Sequence, residues 1–121
     1  MSTNKQLIRD YLNAISGKPK TEAVLDKYTT DHELKEHIRF FESAFPKYKL
    51  IDEDLIEEGN KVAVRATFHG VHKGELMGIA ATGKEVSVSL MLIYEIQDGI
   101  IHKHWMVADQ FALMQQLGVI K

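Results

Sequence analysis

Apolar residues at Leu7, Ile8, Tyr11, Leu12 and Ile15 recur at intervals of three and four, which predicts an amphipathic helix from about Asn4, with Thr3 or Asn4 as its N-cap. Gly17-Lys18-Pro19 ends it. Thr21 opens a second helix carrying Ala23, Val24, Leu25 and Tyr28, and Thr29-Thr30-Asp31 interrupts it. A third helix runs from about Asp31 to Phe45 and buries Leu34, Ile38, Phe41 and Phe45. Pro46 stops it, because the residue before a proline avoids the helical conformation.

Beyond Pro46 the apolar period falls to two. Tyr48 to Glu57 alternates as an edge or solvent-facing strand, and Glu58-Gly59-Asn60 turns the chain into Lys61 to His72. There Val62, Val64, Ala66 and Phe68 share one face, while Ala63, Arg65, Thr67 and His69 share the other and are the candidate cavity lining. Lys73 to Thr82, punctuated by Gly74 and Gly78, reads as a loop over the mouth of the sheet. The strand from Val86 to Ile96 is apolar on both faces between Leu90 and Tyr94, so both faces need cover. Asp98-Gly99 suits a tight hairpin turn into Ile100 to Ala108, and a short helix follows Asp109. Helices first and a meander afterwards argue for α+β, with residues 1–121 as one domain.

Composition narrows the function classes. A net charge of -2 with 26% charged residues lacks the basic footprint of nucleic-acid binding. The absence of cysteine excludes disulfides, thiolate metal sites and a cysteine nucleophile. No stretch reaches the length of a membrane span, and the first residues lack the apolar core of a signal peptide, so no membrane partner and a cytoplasmic location are expected. Three short helices cannot cover both faces of the sheet; a homodimer burying the outer face is expected.

The order of motifs near the C-terminus is distinctive: a strand, Asp98-Gly99, Ile100-Ile101, His104-Trp105, three residues, Asp109, then a helix ending Gln115-Gln116-Leu117-Gly118. Together with Ala44-Phe45-Pro46, Val62-Ala63-Val64-Arg65, Gly70-x-His72-x-Gly74-Glu75 and Ala81-Thr82-Gly83-Lys84, it resembles the SnoaL-like polyketide cyclase or ester cyclase family of the nuclear-transport-factor-2-like superfold. The resemblance implies a cone: a strongly curved mixed sheet wrapped around three N-terminal helices, closed by a short C-terminal helix and holding a small-molecule pocket. It also implies that Asp109 matches the aspartate that acts as acid and base in relatives that close polyketide rings. Two departures stand out. Leu92 occupies a place where many members carry a polar residue, and Ala80-Ala81-Thr82-Gly83 replaces the usual Pro-Pro-Thr-Gly loop.

Asp109 is therefore the candidate acid–base group, with His104 as a pocket-edge companion. A carboxylate enclosed by Trp105, Val107, Phe111 and Met114 loses hydration, which favours its protonated form and suits it to proton transfer; capping of the last helix is the competing role. Trp105, Arg65, Phe68, Leu92, Met114 and His32 are the candidate substrate contacts, though Arg65 equally suits a structural ion pair. His102 and His104 share a strand face but lack an evident third ligand, so no metal is expected. His32 and His37, five apart, are turned about 140° from each other on a helix and fail the zinc-protease spacing. The expected function is cofactor-free cyclase, isomerase or dehydratase chemistry on an apolar, carbonyl-bearing small molecule. The alternative is a non-catalytic ligand-binding or protein-interaction module of the same fold.

Overall fold

The computed structural model of the protein describes residues 3–119. Three helices, α1 (Asn4–Ile15), α2 (Glu22–Tyr28) and α3 (His32–Ala44), precede four strands, β1 (Lys49–Glu58), β2 (Lys61–Val71), β3 (Glu85–Gln97) and β4 (Ile100–Ala108); α4 (Gln110–Leu117) closes the chain. Each helix starts on the residue its sequence offers as a cap. Thr3 accepts the N–H of Gln6, Thr21 that of Val24, Asp31 those of Glu33 and Leu34, and Asp109 that of Ala112.

The sheet has the order β1-β2-β3-β4 and is antiparallel throughout. Its mixed character resides in one parallel bridge, between Thr29 and Ile101, where the α2–α3 turn meets β4. Irregularities at Asp52/Asp54 and at Glu95/Ile96 interrupt the register; such bulges bend and twist a sheet, which suits one that curves over helices. At the hairpin between β3 and β4, Asp98 and Gly99 both take positive φ, 54° and 75°, the geometry expected of that dipeptide.

One face of the sheet meets the helices. Along β3 the even positions Val86, Val88, Leu90, Leu92, Tyr94 and Ile96 are buried. Along β2, Val62, Val64 and Ala66 are buried and Phe68 packs against the same core. Ile8, Tyr11, Leu12 and Ile15 of α1 and Leu34 and Ile38 of α3 supply the opposing layer. The alternating strand β1 is the exposed edge that its sequence indicates.

The glycine-rich segment after β2 lies elsewhere than expected. It packs on the C-terminal end of α3: the N–H groups of Lys73 and Gly74 both donate to the carbonyl of Ala44, and a Cβ on Gly74 would come within 2.0 Å of the Ser43 carbonyl oxygen. Only glycine permits that approach. Leu76 and His72 are sealed there, the latter stacked on Phe45.

Candidate functional site

Between the helical layer and the inner sheet face lies a cavity of about 70 Å³. Its walls are almost wholly apolar: Leu34, Ile38 and Phe41 from α3, Phe68 from β2, Leu90 and Leu92 from β3, Met106 from β4 and Leu113 from α4. Tyr11, Tyr48 and Tyr94 add hydroxyl-bearing rings, and His37, Asp109 and Gln110 also line it. Burial pushes all three tyrosine hydroxyls above their usual range, so they are neutral hydrogen-bond donors. The space is narrow. An apolar cavity that takes benzene measures about 150 Å³, so a ring-bearing ligand here requires side chains of the wall to move apart.

Asp109 sits where β4 ends and α4 begins. Its backbone N–H donates to Ser89 in β3, and its Oδ1 accepts the N–H of Ala112 at 2.9 Å. Among the described residues Oδ2 has no partner. The enclosure expected around it is absent: Val107 and Phe111 are 76% and 62% exposed, and Asp109 is itself exposed. Gln116 anchors the helix over β3, its amide oxygen accepting the N–H of Ser87 at 2.7 Å and its amide nitrogen donating to the Ser87 carbonyl at 2.8 Å. Thus α4 continues the ladder past the end of β4 and lays Leu113 against the cavity.

His104 faces inward at the middle of β4, opposite Tyr94. Its Nδ1 lies 2.7 Å from Oδ2 of Asp31, and both side chains are nearly sealed from solvent. Asp31 is delivered there by a short chain of bonds. The Thr29 hydroxyl donates to the carbonyl of Ile101 and accepts the N–H of Asp31, while Oδ1 of Asp31 caps α3. The ring of His37, one turn into α3, stands 5.6 Å from that of His104. Five residues of extended chain, about 16 Å, separate His104 from Asp109. Asp109 lines the cavity and His104 is not among its lining residues.

Phe68 and Leu92 line the cavity as their strand positions require. Four other candidates are placed away from it. Arg65 and Trp105 project from the outer face, because the inward face of β2 is the Val62, Val64, Ala66 and Phe68 set and that of β4 includes His104 and Met106. Arg65 pairs with Asp54 at 2.7 Å, and Trp105 is 48% exposed. His32 is exposed at the first turn of α3, and Met114 packs against the core from α4 without reaching the cavity. Asp31, His37, Gln110 and the tyrosines Tyr11, Tyr48 and Tyr94 are polar residues that sequence reading did not place at the site. The helix-capping pattern marks Asp31, but its pairing with a residue 73 positions later has no local signal. Among the described residues no three His, Cys, Asp or Glu side chains come together as a metal site.

An antiparallel sheet curved over three helices, with a cavity between the layers and a capped helix at its rim, defines an α+β cone of the nuclear-transport-factor-2-like kind. Residues 18–117 match the SnoaL-like polyketide cyclase family, and the chain belongs to it. TsrD from Streptomyces laurentii is 31% identical, with 95% of this chain covering 94% of that one at a TM-score of 0.78. AclR from Streptomyces galilaeus is 24% identical over 97% of this chain and 82% of that chain, with a TM-score of 0.84. A SnoaL-like polyketide cyclase from Agrobacterium tumefaciens is 19% identical over 98% and 100%, with a TM-score of 0.79. The last two likenesses bear on the fold alone. No curated protein sequence matches the chain.

Proposed function

We propose that the protein binds an apolar, carbonyl-bearing small molecule between helices and sheet and transfers a proton on it through Asp109, without a cofactor. The observation that carries this reading is a carboxylate on the wall of a largely apolar cavity, with one oxygen unpartnered among the described residues. A base in that setting removes a proton from carbon beside a carbonyl, the step common to cyclisation, isomerisation and dehydration. The direct test is hydrogen–deuterium exchange beside the carbonyl of phenylacetone, followed by NMR. Exchange faster than in buffer, reduced at least tenfold in Asp109→Asn, is the expected result. A second reading, a binding module without chemistry, is favoured by the exposure of Asp109 and its bond to a helix N–H. Binding of the probe with no acceleration would select it.

The proposed assembly is a homodimer through the outer sheet face. Ile56, Met91, Ile93, Trp105 and Val107 surround a broad concavity there, and Met91 and Val107 are 60% and 76% exposed. A contiguous apolar patch of this kind on a sheet is characteristic of an interface, and two copies related by a twofold axis would present it to each other. Arg65 and Asp54 at its margin form a polar rim. Sedimentation at micromolar concentration should give a dimer; a stable monomer refutes the assembly. A cytoplasmic location belongs to the same proposal, and cell fractionation checks it; none of the described helices is long and apolar enough to cross a membrane.

A further inference from the structure

The cavity has two polar ends. Asp109 marks one, its N–H bonded to Ser89; Tyr94 is five residues further along β3, about 16 Å as the backbone runs. The hydroxyl of Tyr94 is sealed from solvent and makes no hydrogen bond of ordinary length among the described residues; the Tyr11 hydroxyl is near enough to donate weakly to its oxygen, which leaves the Tyr94 hydrogen free. Buried hydroxyls are nearly always paired, so a free hydrogen in the wall of a cavity is one whose partner arrives from outside. Tyr11 stands beside it, the rings edge to face with centroids 5.8 Å apart, and also lines the cavity.

We propose that Tyr94, assisted by Tyr11, is a donor site for a neutral carbonyl oxygen of the ligand, at the end of the cavity remote from Asp109. This rests on the ligand-binding reading above and adds where one end of the ligand is held. A neutral oxygen fits better than a carboxylate for two reasons. Among the described residues no lysine or arginine lines the cavity, and the charge of Asp31 is felt at Tyr11. Because burial keeps both phenols protonated, each offers a hydrogen without itself accepting charge. The separation from Asp109 has a consequence: the oxygen held here is an anchor that fixes which way the ligand lies, and the carbon that Asp109 deprotonates belongs to another part of the molecule. Anchoring of this sort is a determinant of specificity, since a site built to bond an oxygen rejects an analogue that lacks it.

Acetophenone and α-methylstyrene, which differ by C=O against C=CH2, separate this proposal from the reading beneath it. Their binding to wild type and to Tyr94→Phe is measured by NMR titration, and the melting temperatures of the free proteins are compared. Tyr94→Phe should weaken acetophenone about 3- to 10-fold and leave α-methylstyrene unchanged, the size of one hydrogen bond. The free variant should melt at the same temperature as wild type or higher, because it sheds a buried hydroxyl whose hydrogen is unpaired. If both probes bind and the substitution affects them equally, the anchor is wrong while the ligand-binding reading stands. If neither probe binds wild type, both fall. A lower melting temperature for the free variant would show that the hydroxyl already has a partner within the protein and would overturn the anchor.

Discussion

Strands β3 and β4 carry much the same apolar residue types on their two faces, yet the faces have opposite environments. Inward, Leu90, Leu92, Tyr94 and Met106 lie under helices and enclose the cavity. Outward, Met91, Ile93, Trp105 and Val107 stand between 41% and 76% exposed. Neither hydrophobicity nor size distinguishes the two sets. Strand parity does, because one residue of displacement carries a side chain to the other face. The helices of this chain form one layer, so the same kind of surface becomes a cavity wall on one side and an exposed apolar face on the other.

Substitutions that exchange the environments test this contrast. The largest effect on folding is expected from Leu92→Ala on the inner face, about 2–5 kcal/mol in denaturant unfolding, since lost burial and an enlarged cavity add. Ile93→Ala, its outward neighbour, should cost the isolated subunit less than about 1 kcal/mol. Equal losses at the two positions would mean that the faces are misassigned.

Alkaline unfolding should come next in size. The buried hydroxyls of Tyr11, Tyr48 and Tyr94 are raised from their usual 10.0, by desolvation first in every case. A raised folded value makes the stabilising contribution complete below about 10, and it is lost as pH climbs above that, where the unfolded tyrosines ionise and the folded ones do not. Each contributes a slope of up to about 1.4 kcal/mol per pH unit. Melts between pH 9 and 11 in wild type and Tyr94→Phe, with the variant falling less steeply, would check it.

A smaller loss, about 1–2 kcal/mol, is expected for Asp31→Asn at neutral pH. Asparagine retains the cap on α3 but weakens the charge-assisted bond to His104. Smallest of all on folding is Val107→Lys, within about 0.5 kcal/mol for the subunit. Its effect should fall on the proposed association instead, giving a monomer in sedimentation where wild type gives a dimer.

The local features of this chain were legible before its structure. Caps at Thr3, Thr21, Asp31 and Asp109, the stop at Pro46 and the Asp98-Gly99 turn each follow from the conformational preference of one or two residues. What sequence could not show was which face of β2 points inward. Val62 and Ala63, Val64 and Arg65 alternate between two credible linings, and only the packing of α1 and α3 on the Val62 face decides it. The same gap misplaced Trp105 and Arg65. His104 was legible as an inward histidine, but its partner Asp31 comes from the far end of the fold, through a turn pinned by Thr29. Asp109 was readable as a cap and as a cavity residue; its exposure was not, because it depends on Val107 and Phe111 turning outward.

The proposed chemistry and the proposed anchor both depend on a small molecule entering between helices and sheet. The most direct measurement is methyl NMR of the protein during titration with acetophenone. Methyl signals of Leu50, Leu90, Leu92, Met106 and Leu113, which line the cavity, should shift saturably together, while those of Met91, Ile93 and Val107 on the outer face hold still. Saturable shifts confined to the outer face, or no saturable shift at any methyl, would contradict the account.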